Sequence, residues 1–364
     1  MQLARLALRN FRNIEAAEID WSPALTVLVG RNGQGKTNVL EAATLAVSRH
    51  ALRAKSEREL TRFGADGYHL SATLTGEGGT EQTATRSVWL HPPRRRVAGP
   101  VMPVVTFSPD DLAVVKGSPD GRREFFDRML VQLFSRYRRE WSRYQRAVSQ
   151  RNRAIKEDQP DAVLEGFEPL LAESGAYCWQ QRAWLLRELG PLVESVYETL
   201  APHEGPALAL VAGGSENILD RGSLESLLER TRPQDRRRGA TSVGPHRDDV
   251  RLMVAGVEGR MLSQGQQRTL VLALHLACRR LLERELGVRP LLVLDDVLSE
   301  LDAPRRQALL DVVAAAGQQT IVTDVTDVTD VAGARAESAP GVWPAAAWRY
   351  RVADGRVSAL GRLP

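Results

Sequence analysis

The sequence predicts an α/β head interrupted by an inserted α-helical arm, and three observations carry that expectation. An apolar run at 24–29 leads directly into the glycine-rich segment GRNGQGKT and then into a stretch of helical composition. From Phe126 the apolar residues Leu130, Leu133, Tyr137, Trp141, Tyr144 and Val148 recur at steps of three and four, one face of a long helix. After Pro191 the mixed pattern returns, and a second buried strand at 290–294 ends in two adjacent carboxylates. The head is therefore expected at 1–112 and 201–364, with the arm at 113–200.

The elements follow in order. Residues 3–8 and 24–29 read as strands, and 38–48 as a helix. Short strands are expected at 69–75, 87–91 and 103–107, between turns rich in glycine and proline. In the arm, the first helix gives way near Pro160 to a second helical run over 161–189, with Pro169 as a kink or break. Two helices joined by a short turn should pack antiparallel, in the manner of a coiled coil, with the aromatic stripes as their core. Beyond it come a strand at 207–211, a short helix at 221–232 and an exposed loop at 232–239. A long helix at 268–286, a helix at 304–316 and a strand at 320–323 precede two strands flanking an Asp354-Gly355 turn. The triplet repeat at 323–330 is too short for a solenoid and reads as a polar loop.

Composition narrows the class. With 43% apolar and 26% charged residues the chain is an ordinary globular one, and no stretch approaches the roughly 18 apolar residues of a membrane span. The opening residues lack the apolar core and cleavage site of a secretory signal, which with two cysteines, Cys178 and Cys278, suggests free buried thiols in a reducing cytoplasm. Charge is uneven. Residues 116–156 hold twelve Lys or Arg against four acids, a net +8, whereas the whole chain carries +4 and the remainder therefore −4. A segment so basic suits a polyanion, although a solvated charged helix would read the same way.

The chemistry is concentrated in short motifs. Gly30, Arg31, Asn32, Gly33, Gln34, Gly35, Lys36 and Thr37 fit G-x-x-x-x-G-K-[ST] between a strand and a helix that opens with Asn38. Glycines let backbone N–H groups curl around phosphates, the helix N-terminus adds a favourable dipole, Lys36 reaches the β- and γ-phosphates, and Thr37 offers Mg²⁺ a hydroxyl. Asp295 and Asp296 close the apolar strand; the first is expected to support Mg²⁺ and the second to orient or deprotonate the attacking water. Catalysis is thus expected of Lys36, Asp295 and Asp296, with ATP and Mg²⁺ as cofactors.

Leu262-Ser-Gln-Gly-Gln266 resembles the LSxGQ signature of ABC-type ATPases, which caps the γ-phosphate of ATP held by an opposite subunit. Ser263, Gly265 and Gln266 would then complete the nucleotide site, and Ser299-Glu-Leu-Asp302 resembles the D-loop, with Asp302 crossing the same interface. The resemblance narrows further to the RecF family of bacterial recombination mediators, in the SMC-like branch of ABC ATPases. Leu8-Arg-Asn-Phe-Arg-Asn13, Phe107-Ser-Pro-Asp-Asp-Leu112, Gly117-Ser-Pro119, Arg122-Arg-Glu-Phe125 and Gly244-Pro-His-Arg-Asp-Asp249 carry it across most of the chain. It implies an ABC-type P-loop head, ATP-dependent homodimerisation and binding to duplex DNA and single/double-strand junctions without sequence preference. It also implies slow DNA-stimulated hydrolysis, work with RecO and RecR in loading RecA, and a cytoplasmic, nucleoid-associated site of action with no membrane. Candidate DNA contacts are Arg49, Arg53, Lys55, Arg122, Arg123, Arg136, Arg139, Arg143 and the Arg236–Arg238 run. Arg12 and Asn13 are candidates for adenine contact by the same resemblance, and His246 with Arg247 for support of nucleotide or fold.

Three departures from the wider ABC pattern stand out: no glutamine at 102–112, no histidine after 320–323, and Asp296 where glutamate is usual. They suggest slow turnover. Two other readings remain open on sequence: the ATP-binding subunit of a transporter, and an architectural DNA-binding protein with a vestigial ATP site.

Overall fold

A computed structural model describes residues 1–48, 56–202, 205–218, 220–297, 301, 303–315, 317–324 and 347–362. The chain opens with β1 (Gln2–Phe11), β2 (Ile14–Asp20), β3 (Leu25–Val29), α1 (Lys36–Ser48), α2 (Glu57–Leu60), β4 (Gly67–Thr75), β5 (Glu81–Leu90), β6 (Pro93–Ala98) and β7 (Val104–Phe107). Its middle carries α3 (Ala113–Lys116), α4 (Pro119–Leu133), α5 (Ser135–Lys156), α6 (Asp161–Glu165) and α7 (Glu168–Leu200). β8 (Pro206–Val211), α8 (Arg221–Arg238), β9 (Asp249–Val254), β10 (Val257–Glu258) and α9 (Gln264–Leu286) follow. The last stretch is β11 (Leu291–Leu294), α10 (Ala303–Ala315), β12 (Thr320–Asp324), β13 (Trp348–Ala353) and β14 (Arg356–Arg362).

These elements form two compact units, Met1–Asp110 with Leu282–Pro364, and Asp111–Leu281. The first division falls close to the expected 112/113. The second falls inside α9, not near residue 200, because buried hydrogen bonds tie 201–281 into the arm.

The first unit holds two sheets. One is antiparallel, in the order β2-β1-β4-β5-β6. The other runs β14-β13-β3-β12-β11-β7, parallel throughout except for the β13–β14 hairpin. Its central strand β3 is wholly apolar or small and buried along its length, as a strand covered on both faces must be. α1 is buried nearly all round and packs on strands of both sheets, so its residues Val39, Leu40, Leu45 and Val47 join the two layers in one core. The hairpin turn is the expected one, with Asp354 at φ 48° and Gly355 at φ 71°.

In the second unit α5 and α7 pack antiparallel. Arg136 lies over the Tyr177 ring at 4.4 Å, Ser174 donates to Glu140 at 2.9 Å, and Arg151 lies 3.7 Å from Glu168. Their shared core takes in Tyr144, Val148, Leu171 and Trp179, together with Leu224, Leu228 and Val243 from the following segment. The single helix expected over 126–148 is two helices, broken at Phe134, which adopts an extended conformation (φ −129°, ψ 109°). Pro169 sits in the first turn of α7, where its missing N–H costs nothing, and α7 continues through Pro191 to Leu200. The loop expected at 232–239 is helical. α8 runs to Arg238 and stops at Gly239, which takes the left-handed conformation (φ 69°) of a C-terminal cap.

Buried ion pairs join the two halves of this unit. Arg182, 2% exposed, grips Asp127 with two hydrogen bonds of 2.9 and 2.8 Å and donates to Asp248 at 2.7 Å. Asp248 also accepts from Trp179 Nε1 and Gly213 N. Arg151, fully buried, donates to Asp235 and Thr241. The segment Gly244-Pro-His-Arg-Asp-Asp249 is therefore tied into the fold here, with Gly244, Pro245 and Asp248 buried. His246 Nε2 lies 3.0 Å from the Thr241 carbonyl and Nδ1 lies 2.7 Å from the Tyr144 hydroxyl, and burial pulls its pKa down to about 4. Both cysteines are free and buried, and burial pushes the Cys178 thiol up to about 12. No helix among the described residues is long and apolar enough to cross a membrane.

Candidate functional site

At the C-terminal ends of β3, β11 and β12 the first unit opens a cavity of about 290 Å³, lined by Asn32, Gly33, Gly35, Lys36, Thr37, Asn38, Pro109, Asp295, Asp296 and Thr323. Ligands of parallel α/β sheets bind at that end, where loops leave the strands. The glycine-rich loop needs its glycines. Gly33 (φ 81°) and Gly35 (φ 110°) occupy backbone regions that L side chains avoid, and a Cβ on Gly35 would sit 2.8 Å from Asn13 Oδ1.

Lys36 Nζ donates to the carbonyls of Gly30 at 2.6 Å and Arg31 at 3.1 Å, which holds the ammonium inside the loop. Burial pulls its pKa below the usual lysine value, against the opposing pull of Asp296, Asp295 and Asp324. The site keeps a cation beside three carboxylates, ready for a polyphosphate.

Thr37 and Asp295 meet across the cavity, the threonine hydroxyl donating to the carboxylate at 2.8 and 3.1 Å. Oxygen donors of this kind suit a hard cation, and Mg²⁺ bound with a nucleotide takes only one or two protein ligands, the rest being phosphate and water. The pair therefore fits Mg²⁺, although no cluster of three or more His, Cys, Asp or Glu ligands occurs among the described residues.

Asp295 is 6% exposed and also accepts from Thr323 Oγ1 at 2.9 Å. The same hydroxyl accepts from the Asp296 N–H at 2.7 Å. Asp296 itself turns into the left-handed region (φ 51°), so the two neighbouring carboxylates occupy different surroundings. Thr323 stands where the sequence lacks a histidine, and its one hydroxyl ties the Asp295 carboxylate to the Asp296 backbone N–H.

A brace not legible in the sequence holds the loop from outside. Asn38 Nδ2 donates to Asn13 Oδ1 at 2.8 Å, and Asn13 Nδ2 donates to the Gln34 carbonyl at 3.3 Å. The β13–β14 turn completes it: Asp354 N–H donates to Gln34 Oε1 at 2.6 Å, and Gly355 N–H to the Gln34 carbonyl at 3.1 Å. Arg12 pairs with Glu41 at 2.8 Å.

The signature residues belong to the second unit, where they open α9. Ser263 caps the helix, accepting from Gln266 N–H at 3.3 Å, while Gln266 Oε1 accepts from Ser263 N–H at 3.1 Å. This reciprocal capping box leaves Ser263 exposed and Gly265 half-buried at a helix N-terminus, the geometry of an anion seat. Asp302, with the preceding 298–300, lies outside the described residues, as do Arg49, Arg53 and Lys55.

The remaining basic candidates separate into two groups. Arg122 grips Asp249 with bonds of 2.6 and 2.8 Å, and Arg123 pairs with Asp120 and the Asp248 carbonyl; their side chains are 14% and 12% exposed. They act in the fold, not at an open surface. Arg236, expected in a loop, bonds Asp158, Gln159 and Asp161. Arg136, Arg139 and Arg143 are exposed on α5, and with Arg146 and Arg153 they fall within roughly a third of the helix circumference. Arg143, its side chain 45% exposed, lies 3.2 Å from Glu140, whose side chain is 12% exposed.

A phosphate loop, a strand ending in paired acids and a helix-capping signature on one chain define an ABC-type P-loop ATPase head. A family model, AAA ATPase domain, matches residues 1–59. The chain is 37% identical to the DNA replication and repair protein RecF of Myxococcus xanthus, over 89% of this chain and 90% of that one. Identity to the RecF protein of Anaeromyxobacter sp. (strain Fw109-5) is also 37%, over 99% of this chain and 100% of that one. Among solved structures, the recombination mediator protein RecF with ATP in the RecFOR pathway superposes with a TM-score of 0.86 at 25% identity, covering 99% of this chain and 98% of that one. An Smc head domain of Pyrococcus furiosus, at 17% identity, gives 0.55 over 99% of this chain and 96% of that one and shares the fold. The chain belongs to the RecF family.

Proposed function

We propose that this chain is an ATP-dependent DNA-binding protein of recombinational repair. Two ATP molecules join two heads into a C₂ dimer that clamps gapped or duplex DNA, and slow, DNA-stimulated hydrolysis releases it. The observation that carries this reading is the lining of the phosphate cavity, which among the described residues takes in Lys36, Thr37, Asp295 and Asp296 and none of the signature segment. At about 290 Å³ it lies at the low end for a ligand pocket and suits a polyphosphate approached from one side. Ser263 meanwhile offers an exposed anion seat with no phosphate loop in its own unit. A second copy of the chain satisfies both.

Within the closed dimer, Gly30 to Asn38 would cradle the phosphates and Lys36 would neutralise the β- and γ-oxygens. Thr37 and Asp295 would hold Mg²⁺, which stabilises charge on the transferring phosphoryl group. Asp296 would orient the attacking water, and Ser263, Gly265 and Gln266 of the other copy would cap the γ-phosphate. The arginine stripe of α5 supplies a sequence-blind, salt-sensitive surface for DNA phosphates. RecO and RecR are the proposed partners in loading RecA, in keeping with relatives named for DNA replication and repair and a structural neighbour placed in the RecFOR pathway. Membership of that family sets the transporter reading aside.

Light-scattering mass tests it, on protein alone, with ATP and Mg²⁺, and with duplex DNA added. A monomer that becomes a dimer only with ATP, more completely with DNA, is expected. A mass indifferent to ATP would overturn the proposal.

A further inference from the structure

We propose that the solvent face of the five-stranded antiparallel sheet, at the end bearing Arg9, His69, Trp89, Arg94 and Arg96, is a binding surface for single-stranded DNA. This rests on the DNA-binding reading above but on a surface that neither the nucleotide site nor the arm uses.

The pairing register places the residues. Arg9, His69, Ser87 and Arg96 stand directly opposite one another across β1, β4, β5 and β6, so all four side chains leave the same face of the sheet. Trp89 and Arg94 form the next row on that face, opposite Gly67. Arg9, His69, Trp89, Arg94 and Arg96 are exposed. The outward acids Asp20 and Glu81 stand on rows nearer the opposite end, Asp20 paired there with Arg5, while Glu18 stands one row from Arg9 on the neighbouring β2. Between the two ends the outward residues of β1, β4, β5 and β6 are small or neutral, Ala7, Ser71, Thr85 and Ala98. The result is a solvent face whose basic residues gather at one end, with arginines about 14 Å apart, three strand spacings, between Arg9 and Arg96.

Aromatic side chains select the ligand. Among the described residues the exposed large hydrophobics include two aromatics, Trp89 at 42% and Phe63 at 100%, and both belong to this end of the sheet. The loop bearing Phe63 is fixed there by Arg62 N–H donating to the Asn10 carbonyl at 2.9 Å. Arg94 lies 5.6 Å from the Trp89 ring centroid and holds it in place. Arginines on β6 alone would be explained by edge protection, since charge on an edge strand deters pairing with other chains. That explanation does not extend to Arg9 on an interior strand, and it predicts against an exposed tryptophan. Backbone phosphates on arginines with unstacked bases on aromatic rings is the recognition mode of sheet surfaces that bind single strands.

The test is fluorescence anisotropy with a labelled twenty-residue oligo(dT), on the full chain, across a salt series. Arg9→Ala with Arg96→Ala should weaken binding and lower the slope of log K against log salt by about 1.4, the share of two phosphate contacts on a single strand. Trp89→Ala should weaken binding about five- to hundredfold and leave that slope unchanged. Both sets of residues are exposed, and circular dichroism melts unchanged from wild type confirm that the fold is kept. ATP-dependent mass and duplex binding should also be unchanged. Oligo(dT) binding indifferent to both variants overturns the proposal, as does binding of polyglutamate as tight as that of oligo(dT), which would mark a general acidic-polymer surface. A wild-type chain that dimerises with ATP and binds duplex but not oligo(dT) overturns this proposal and leaves the proposed function standing; loss of the ATP-dependent dimer overturns the function itself.

Discussion

Replacing Ser263 with aspartate separates two roles that alanine would confound. As a helix cap, aspartate ranks with serine and its charge is favoured at a helix N-terminus by about 0.3–1 kcal/mol. The reciprocal bonds between Ser263 and Gln266, at 3.1 and 3.3 Å, can therefore be replaced without weakening α9. Ser263→Ala, by contrast, loses the cap and costs about 1 kcal/mol. If Ser263 faces the γ-phosphate of a second head, the added carboxylate stands against it. Two unit charges about 4 Å apart at an effective dielectric near 20 repel by about 4 kcal/mol. Even with half of that lost to relaxation and salt, about 2 kcal/mol at each site remains, roughly thirtyfold per site in the dimerisation constant. Light-scattering mass over a concentration series with ATP and Mg²⁺ should show Ser263→Asp monomeric where wild type is dimeric. A fluorescent ATP analogue should still bind the variant normally. A Ser263→Asp chain that dimerises at the wild-type concentration would refute the trans assignment of the signature.

Further outcomes follow from the same geometry. Lys36→Met should abolish nucleotide binding, read by the same analogue, and with it the ATP-dependent dimer. Asp296→Asn should bind ATP and stay dimeric long after wild type has turned over, as followed by mass and phosphate release; a monomer with ATP would make its assigned role wrong. Arg182→Met leaves Asp127 and Asp248 buried without their cation, and should lower the stability of the second unit by about 3–5 kcal/mol in urea denaturation. His246 is held neutral, with a pKa near 4 against 6.5 in the unfolded chain, so unfolding takes up a proton between those values. Its contribution is complete above pH 6.5 and is lost as pH falls toward 4, by up to about 3 kcal/mol, and His246→Gln should flatten that part of the denaturation-midpoint profile.

The head's chemistry was legible because it is written in short, contiguous motifs. A strand, eight residues and a helix suffice to place Lys36 and Thr37, and an apolar run followed by two acids suffices for Asp295 and Asp296. What escaped was tertiary. The 232–239 segment carries proline and four arginines in a polar run and reads as a loop, yet it is helical, with Arg232 and Arg236 paired to Glu165, Glu168, Asp158 and Asp161 and Asp235 accepting from Arg151. The break at Phe134 was invisible to periodicity, since a step of four from Leu130 to Phe134 keeps the apolar phase. β6 was missed because PRRRVA has the composition of a loop, and only pairing with β5 makes it a strand. Arg122 and Arg123 read as DNA contacts because composition shows charge and hides the acid that neutralises it.

The brace on the phosphate loop has a consequence for synthesis. Gln34 is held by Asp354, 320 positions downstream, and β3, which feeds the loop, has both its sheet neighbours, β12 and β13, from the same late stretch. A ribosome adding about 5–20 residues per second needs roughly 15–60 s to cover that distance. For that interval the nascent chain carries a phosphate loop without its frame, while the contiguous unit 111–281 is completed within it and can close its buried ion pairs before residue 354 is added. Nucleotide competence thus arrives last, and a half-made or truncated chain cannot compete with finished molecules for ATP.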